Sequence, residues 1–399
     1  MKIKNIVPRE IFDSRGEPTL EIELIAENKF SFRAQIPSGK SRGKNEAAVF
    51  SFKQAKKSVQ KIKKFLQNKN FSSINQLDKY LIKQDNTDNK KNLGGNVMLG
   101  ISIAFARALA HRQKQELWQV LQSEFFKKEK RRVKTPLIFS NLINGGTHAE
   151  NNLDFQEYLV IVKPSLSLIK DVEQLIAFYK KLGLRLKKQF KLSKLILGDE
   201  GGYSLNFKNS FEPLLILKSL IKKSRLTKKF KLGLDAAASN FYKNKKYLFG
   251  KKTLSTQELL KIYGQELKKN RLFHSIEDPF FENDYAGFKA LTAELKGKLI
   301  IGDDLTTTNP LTIEKCAKQK LINAVIIKPN QIGTVFETCQ AINMAHKNKL
   351  KCVISHRSGE TEDNFIIHFA RASNAYGVKI GAPARERLLK FDELLKIYK

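Results

Sequence analysis

Seven short apolar runs in the C-terminal two-thirds of this chain each end in one ionisable residue: Glu200, Asp235, Glu277, Asp303, Lys328, His356 and Lys379. The steps between them are 35, 42, 26, 25, 28 and 23 residues. A strand, a crossover helix and two loops take about 30 residues per unit, so the steps read as consecutive βα units of a parallel sheet or barrel. Polar residues at the C-terminal ends of such strands meet at one mouth, which is where barrel enzymes work. Four carboxylates and two lysines meeting there point to a divalent metal and an anionic substrate.

A different texture precedes the barrel. The alternation in Pro18-Thr19-Leu20-Glu21-Ile22-Glu23-Leu24 and Phe30-Ser31-Phe32-Arg33-Ala34 predicts antiparallel strands turning at Glu27-Asn28-Lys29. Residues 49–71, 73–83 and 98–125 have helical apolar spacing, and the basic stretch 127–132 is the candidate linker. The expected architecture is α/β: a C-terminal TIM-like α/β barrel (129–399) with a smaller N-terminal α+β domain (1–128) carrying a first lid loop.

Hydrophobic content of 41% is enough for a sizeable core. The first residues show no signal peptide or membrane helix, and three cysteines without a CxxC pair suit a reducing compartment, so a cytoplasmic location is expected. The formal net charge of +34 would attract anions, nucleic acid and anionic surfaces included. Its lysines are spread over helices without interleaved aromatics, which favours solvated helix faces over base recognition. Nucleic-acid or anionic-surface binding is therefore expected to be secondary, and a binding protein on an enzyme scaffold is the alternative reading.

Asp235, Glu277 and Asp303, at successive strand ends, suit a hard cation such as Mg²⁺. Lys328, beside a metal and other cations, should have a lowered pKa and be available as a base, and Lys379 reaches the same mouth. In Gly198-Asp199-Glu200-Gly201-Gly202 and Gln156-Glu157, two carboxyl groups brought together would leave one protonated. Ser355-His356-Arg357-Ser358 offers a phosphate-binding set. Ser38-Gly39-Lys40-Ser41-Arg42-Gly43 and Asn144-Gly145-Gly146-Thr147-His148 are candidate lids, while His111, His274, His346 and His368 read as structural. A dication, a lysine base, a carboxylic acid and a phosphate clamp together fit proton removal beside a carboxylate.

These segments, with Asp13-Ser14-Arg15-Gly16-Glu17-Pro18-Thr19, Leu93-Gly94-Gly95-Asn96, Ser275-Ile276-Glu277-Asp278-Pro279, Asp303-Asp304-Leu305, Lys328 to Gly333 and Ser355 to Asp363, resemble the enolase family over almost the whole chain. The resemblance implies reversible, Mg²⁺-dependent dehydration of 2-phosphoglycerate to phosphoenolpyruvate. It implies Lys328 as base and Glu200, supported by Glu157, as acid. Asp235, Glu277 and Asp303 would hold one Mg²⁺, and Ser41 a second that arrives with substrate. Gln156, His148, His356, Arg357, Ser358 and Lys379 would bind substrate. It also implies a homodimer or higher homo-oligomer, with Glu21 and Lys396 at positions that pair across the interface. The chain departs from the family pattern at Lys40 and Arg42 beside Ser41, at Tyr203-Ser204-Leu205, at Asn240, and in Ala384-Arg385-Glu386-Arg387, which is one residue short.

Overall fold

In the computed structural model the protein is described over residues 1–27, 29–40, 43, 46–66, 69–126 and 134–398. The candidate linker, Ser41, Arg42 and the centre of the Glu27 to Lys29 turn lie outside the described residues.

The N-terminal region is a meander of β1 (Ile3–Phe12), β2 (Pro18–Ala26) and β3 (Ser31–Ile36), followed by α1 (Phe52–Leu66), α2 (Ile74–Asp85), α3 (Gly95–Gln113) and α4 (Leu117–Phe125). Strand β1 is absent from the sequence expectation. It is an edge strand, holds Pro8, and slips in register between Ile3 and Asn5, so its side chains lack clean alternation. The single helical stretch expected over 98–125 is two helices. Lys114 takes a left-handed conformation at φ 52°, and Glu116 opens α4 through a reciprocal capping box with Gln119. Helix α3 is buried along most of its length between the sheet and the barrel. Gly100 permits this, since a Cβ there would lie 2.5 Å from Ile22.

The C-terminal region closes a barrel of eight strands: β4 (Leu137–Asn144), β5 (Glu157–Val162), and the strands Phe230–Asp235, Phe273–Glu277, Leu299–Gly302, Ala324–Ile327, Lys351–Ser355 and Gly377–Lys379, the last pairing back onto β4. Helices alternate with the later strands, as the spacing requires. The expected run of parallel βα units does not extend to the start of the barrel. β5 runs antiparallel to both β4 and the Phe230–Asp235 strand. β4 and β5 are joined by a loop on the catalytic side, so no crossover helix is needed. Glu157 therefore reaches the mouth from the beginning of a strand, which is why it stands outside the seven strand-end residues.

Glu200 is the second correction. It caps no barrel strand but sits at the tip of a short hairpin, Ile196–Leu197 with Tyr203–Ser204, which hangs on β4 through Ile143 and Tyr203. Gly201, at φ +80°, makes the turn, and the Gly202 N–H donates to Asn144 Oδ1 at 3.0 Å.

Several polar contacts pin the two regions together. The Arg107 guanidinium binds Asp363 through two bonds of 2.8 Å, Lys90 pairs with Glu337 at 2.8 Å, and the Ala47 N–H donates to Gln331 O at 2.8 Å. Fully buried Asp78 of α2 accepts from Ser102 Oγ and from the Phe336 N–H, both at 2.8 Å, so it serves the first turn of helix Val335–Lys347. Among the described residues no helix is long and apolar enough to cross a membrane.

Candidate active site

The strand register brings the barrel-mouth residues together. Glu277 lies opposite Asp235 on the adjacent strand, and Asp303 directly follows the next strand, Leu299–Gly302. Lys328 follows the strand after that, while Lys379 ends the strand that lies opposite Ser355. All three acids and Lys379 are buried.

Lys379 is the centre of charge at the mouth. Its ammonium lies 3.1 Å from Asp235 Oδ2, 2.8 Å from Glu277 Oε2 and 3.1 Å from Glu157 Oε2. Burial works against this ammonium, but Asp235, Glu157 and Glu277 outweigh it and hold Lys379 well above the usual lysine range. Even so, burial and then Asp235 keep Glu277 well above the usual carboxylate range. The group of acids is thus short of positive charge, and its oxygen donors are those a hard dication takes. Asp235, Glu277 and Asp303 therefore fit a Mg²⁺-type ion.

Lys328 is ion-paired to Asp303 Oδ2, whose other oxygen accepts from Gln331 Nε2 at 2.9 Å. Burial opposes the charge, yet Asp303 prevails and Lys328 is raised, the reverse of the lowering that neighbouring cations alone would cause. A lysine in this state gives up its proton only when the pair with Asp303 opens.

Across the mouth, His148, Glu157 and Glu200 are buried with their ligating atoms within 4.8 Å of one another, a cluster able to hold a divalent metal. Burial and then Glu200 push Glu157 well above the carboxylate range. Burial acts on Glu200 too, but the His356 and His148 rings facing it at 3.4 and 3.6 Å, together with Lys379, carry it well below. Burial thus favours the protonated form of Glu157, while its partner Glu200 is favoured as the carboxylate. Asn141 Nδ2 donates to Glu200 Oε2 at 3.1 Å. Burial pushes His356 down to about 4, against the pull of Glu200.

The first lid folds over the segment that follows strand Lys351–Ser355. Ser38 bridges to Gly359, and the Lys40 N–H donates to Ser358 Oγ at 2.9 Å. Gly39 lies so close that a Cβ would fall 1.8 Å from Arg357 Nη2. Arg357 is held by Glu46 at 3.0 Å, and the Ser358 carbonyl accepts from Arg387 at 2.9 Å. The second lid is tied down by Thr147 Oγ1, which donates to Gln156 Oε1 at 2.9 Å, and the same oxygen accepts from Asn240 at 3.3 Å. One small cavity touches Lys328, Lys379, Glu157, Glu200, Arg357 and Ser358.

Sequence reasoning did not single out Glu46, Asn141 and Gln331, and treated Arg387 only as a departure. Gln331 stands within the quoted Lys328 to Gly333 run and Glu46 three residues past the lid, but neither carries a pattern that betrays its partner. Arg387 is fully buried in a segment rich in charge, a placement no local signal reveals.

The chain matches two family models, the enolase N-terminal domain over residues 3–121 and the enolase C-terminal TIM barrel domain over residues 132–399. It is 42% identical to an enolase of Ehrlichia canis across 100% of this chain and 96% of that protein. It is 40% identical to an enolase of Elusimicrobium minutum across 99% of this chain and 95% of the relative. An enolase of Campylobacter lari is 38% identical over 99% of this chain and 96% of its own length. The chain belongs to the enolase family.

Proposed function

We propose that this protein is a Mg²⁺-dependent lyase that reversibly dehydrates 2-phosphoglycerate to phosphoenolpyruvate, a step of glycolysis. The observation that carries the reading is one cavity shared by a lysine, a proton-retaining carboxyl pair and an arginine-serine anion clamp. Arg357 and Ser358 bind the phosphate, with Gly39 and Lys40 of the lid packed over them. Lys379 pairs with the substrate carboxylate, and Gln156, His148 and His356 line the pocket.

Asp235, Glu277 and Asp303 would hold one Mg²⁺, and Ser41 a second. Bound there, the metal supplies charge that makes the C2 proton more acidic. Once its pair with Asp303 opens and its ammonium has released a proton to solvent, Lys328 takes the C2 proton on the free Nζ amine. On the other side Glu157, which burial favours in its protonated form, passes a proton to Glu200, and Glu200 delivers it to the departing C3 hydroxyl, which leaves as water.

We place the division between lid domain and catalytic barrel at residues 128 and 129, and we read the assembly as a homo-oligomer. The test is formation of phosphoenolpyruvate from 2-phosphoglycerate by the full chain, with and without Mg²⁺, beside the Lys328→Ala variant. Turnover that needs Mg²⁺ and disappears in the variant supports the reading. Turnover no higher than that of the variant overturns it.

A further inference from the structure

The opposite end of the barrel carries charge that the reaction does not use. The strands Phe230–Asp235, Phe273–Glu277, Leu299–Gly302, Lys351–Ser355 and Gly377–Lys379 begin there, so Lys231, His274, Lys298, Lys351 and Tyr376 mark one floor. His274 Nε2 and the Tyr376 hydroxyl meet at 2.9 Å although their strands are four places apart around the barrel. That contact spans the interior and closes the floor. Lys351 Nζ sits 4.8 Å from the centre of the Tyr376 ring.

Among the described residues neither Lys231, Lys298, Lys349 nor Lys351 pairs with a carboxylate. Lys298 Nζ donates to Phe273 O at 2.6 Å, and Lys231 Nζ to Thr227 O at 3.3 Å. The acid on the neighbouring rim, Asp171, is taken by Lys229 at 2.6 Å and by Ser165. Burial, and then Lys298 and Lys231, depress His274 to about 4, so the ring adds no charge at neutral pH and feels both ammonium groups. Beside the floor opens a concavity of about 550 Å³ lined by Lys134, Lys349, Lys351, Asn374 and Tyr376. That is roomy enough for a small organic or inorganic anion.

We propose that this floor is a second anion site, which takes a small, multiply charged phosphoanion between Lys349, Lys351 and the Tyr376 face, with Lys231 and Lys298 supplying field from behind. Among the described residues the floor offers lysines and no arginine fork, which suits a phosphoryl group met by point charges better than a planar carboxylate met by paired bonds. Several ammonium groups gathered without counter-charge repel one another, and a di- or triphosphate relieves that repulsion more than a singly charged ion does. The active-site phosphate clamp lies at the other end of the same strands, so the two sites are separable by mutation.

The probe is inorganic pyrophosphate, titrated calorimetrically into the full chain in the presence of EDTA at about 0.15 M salt, where long-range surface attraction is screened. Arg357→Gln removes the clamp at the mouth. One pyrophosphate should still bind that variant, and Lys351→Gln or Lys298→Gln added to it should weaken binding about tenfold, the worth of one charge-assisted bond. Alone, Lys351→Gln should leave turnover of 2-phosphoglycerate within about twofold, which also reports that the exposed substitution has not unfolded the protein. The proposal is overturned if Arg357→Gln alone abolishes binding, or if Lys61→Gln on α1 weakens it as much as the floor variants do. Preferential binding of a single-stranded oligonucleotide over pyrophosphate, lost in the floor variants, would overturn it in favour of a nucleic-acid surface.

Discussion

The two ends of the barrel are built on the same strands and treat charge in opposite ways. At the mouth each buried ammonium group is held by carboxylates: Lys379 by Asp235, Glu157 and Glu277, and Lys328 by Asp303. At the floor, among the described residues, Lys298 and Lys231 reach only backbone carbonyls. Matched charges in a buried site hold fixed positions and strongly shifted pKa values, which proton transfer needs. Unmatched charges at a half-open floor leave a field that is answered from outside.

Substitution of one lysine at each end gives the largest contrast. Lys328→Ala should lower kcat by about a thousandfold or more, the usual cost of removing a general base. Lys298→Gln should change kcat by less than about twofold, because it touches no reacting group. Steady-state turnover measures both, and comparable losses would erase the distinction between the ends.

Lys379→Met tests what the matching at the mouth is worth to folding. Removal of one partner from a buried charge cluster typically costs about 3–5 kcal/mol, and here three carboxylates lose their ammonium. Urea unfolding in EDTA should show that loss. Addition of Mg²⁺ should then stabilise the variant more than the parent, since an ion that binds only the folded form adds stability by mass action. An equal response in both proteins would mean that the acids do not act as a cation site.

Much of the mouth was legible in the sequence because a parallel strand ends where its chemistry sits. The apolar runs before Asp235, Glu277, Asp303, Lys328 and Lys379 are read directly as strands, and the step between them as a crossover. Glu157 lies outside that repeat, and the spacing counts Glu200 into it although it caps no barrel strand. The first enters from an antiparallel strand and the second from a hairpin tip, so neither obeys the repeat. Strand β1 was hidden because an edge strand with a proline need not alternate. The protonation pattern was illegible for a simpler reason. Lys328 faces both cations and carboxylates, and only distance decides that Asp303 prevails. The floor lysines likewise look like any others in a chain with 73 basic residues until their missing partners are seen.

Asp78 supplies a third case, a buried carboxylate answered by a hydroxyl and a backbone N–H with no ammonium. Burial raises it to about 7 in the folded protein from its ordinary 3.8. The folded state therefore binds the proton more tightly than the unfolded chain, and stability contributed by this group is lost as pH rises from about 4 through 7. Between pH 5 and pH 8 the loss is on the order of 2–3 kcal/mol. Asp78→Asn keeps an acceptor for helix Val335–Lys347 and cannot ionise, so its unfolding free energy should fall less over that range. Parallel pH profiles for the two proteins would show that burial alone does not shift this group.

The smallest effect belongs to an exposed ion pair at the mouth. Lys40 Nζ lies 3.1 Å from Asp199 Oδ2, with side chains 47% and 22% exposed. Such pairs are worth about 0–1 kcal/mol, and they weaken as salt shortens the screening length. The backbone bond from Lys40 to Ser358 Oγ does not depend on the side chain. Lys40→Ala should therefore change kcat/KM by no more than about fivefold at low ionic strength, and the difference should vanish near 1 M salt, where screening acts within about 3 Å. A loss that persists at high salt would give this exposed lysine the standing of a buried one, and would break the rule that the mouth works through desolvated, matched charge.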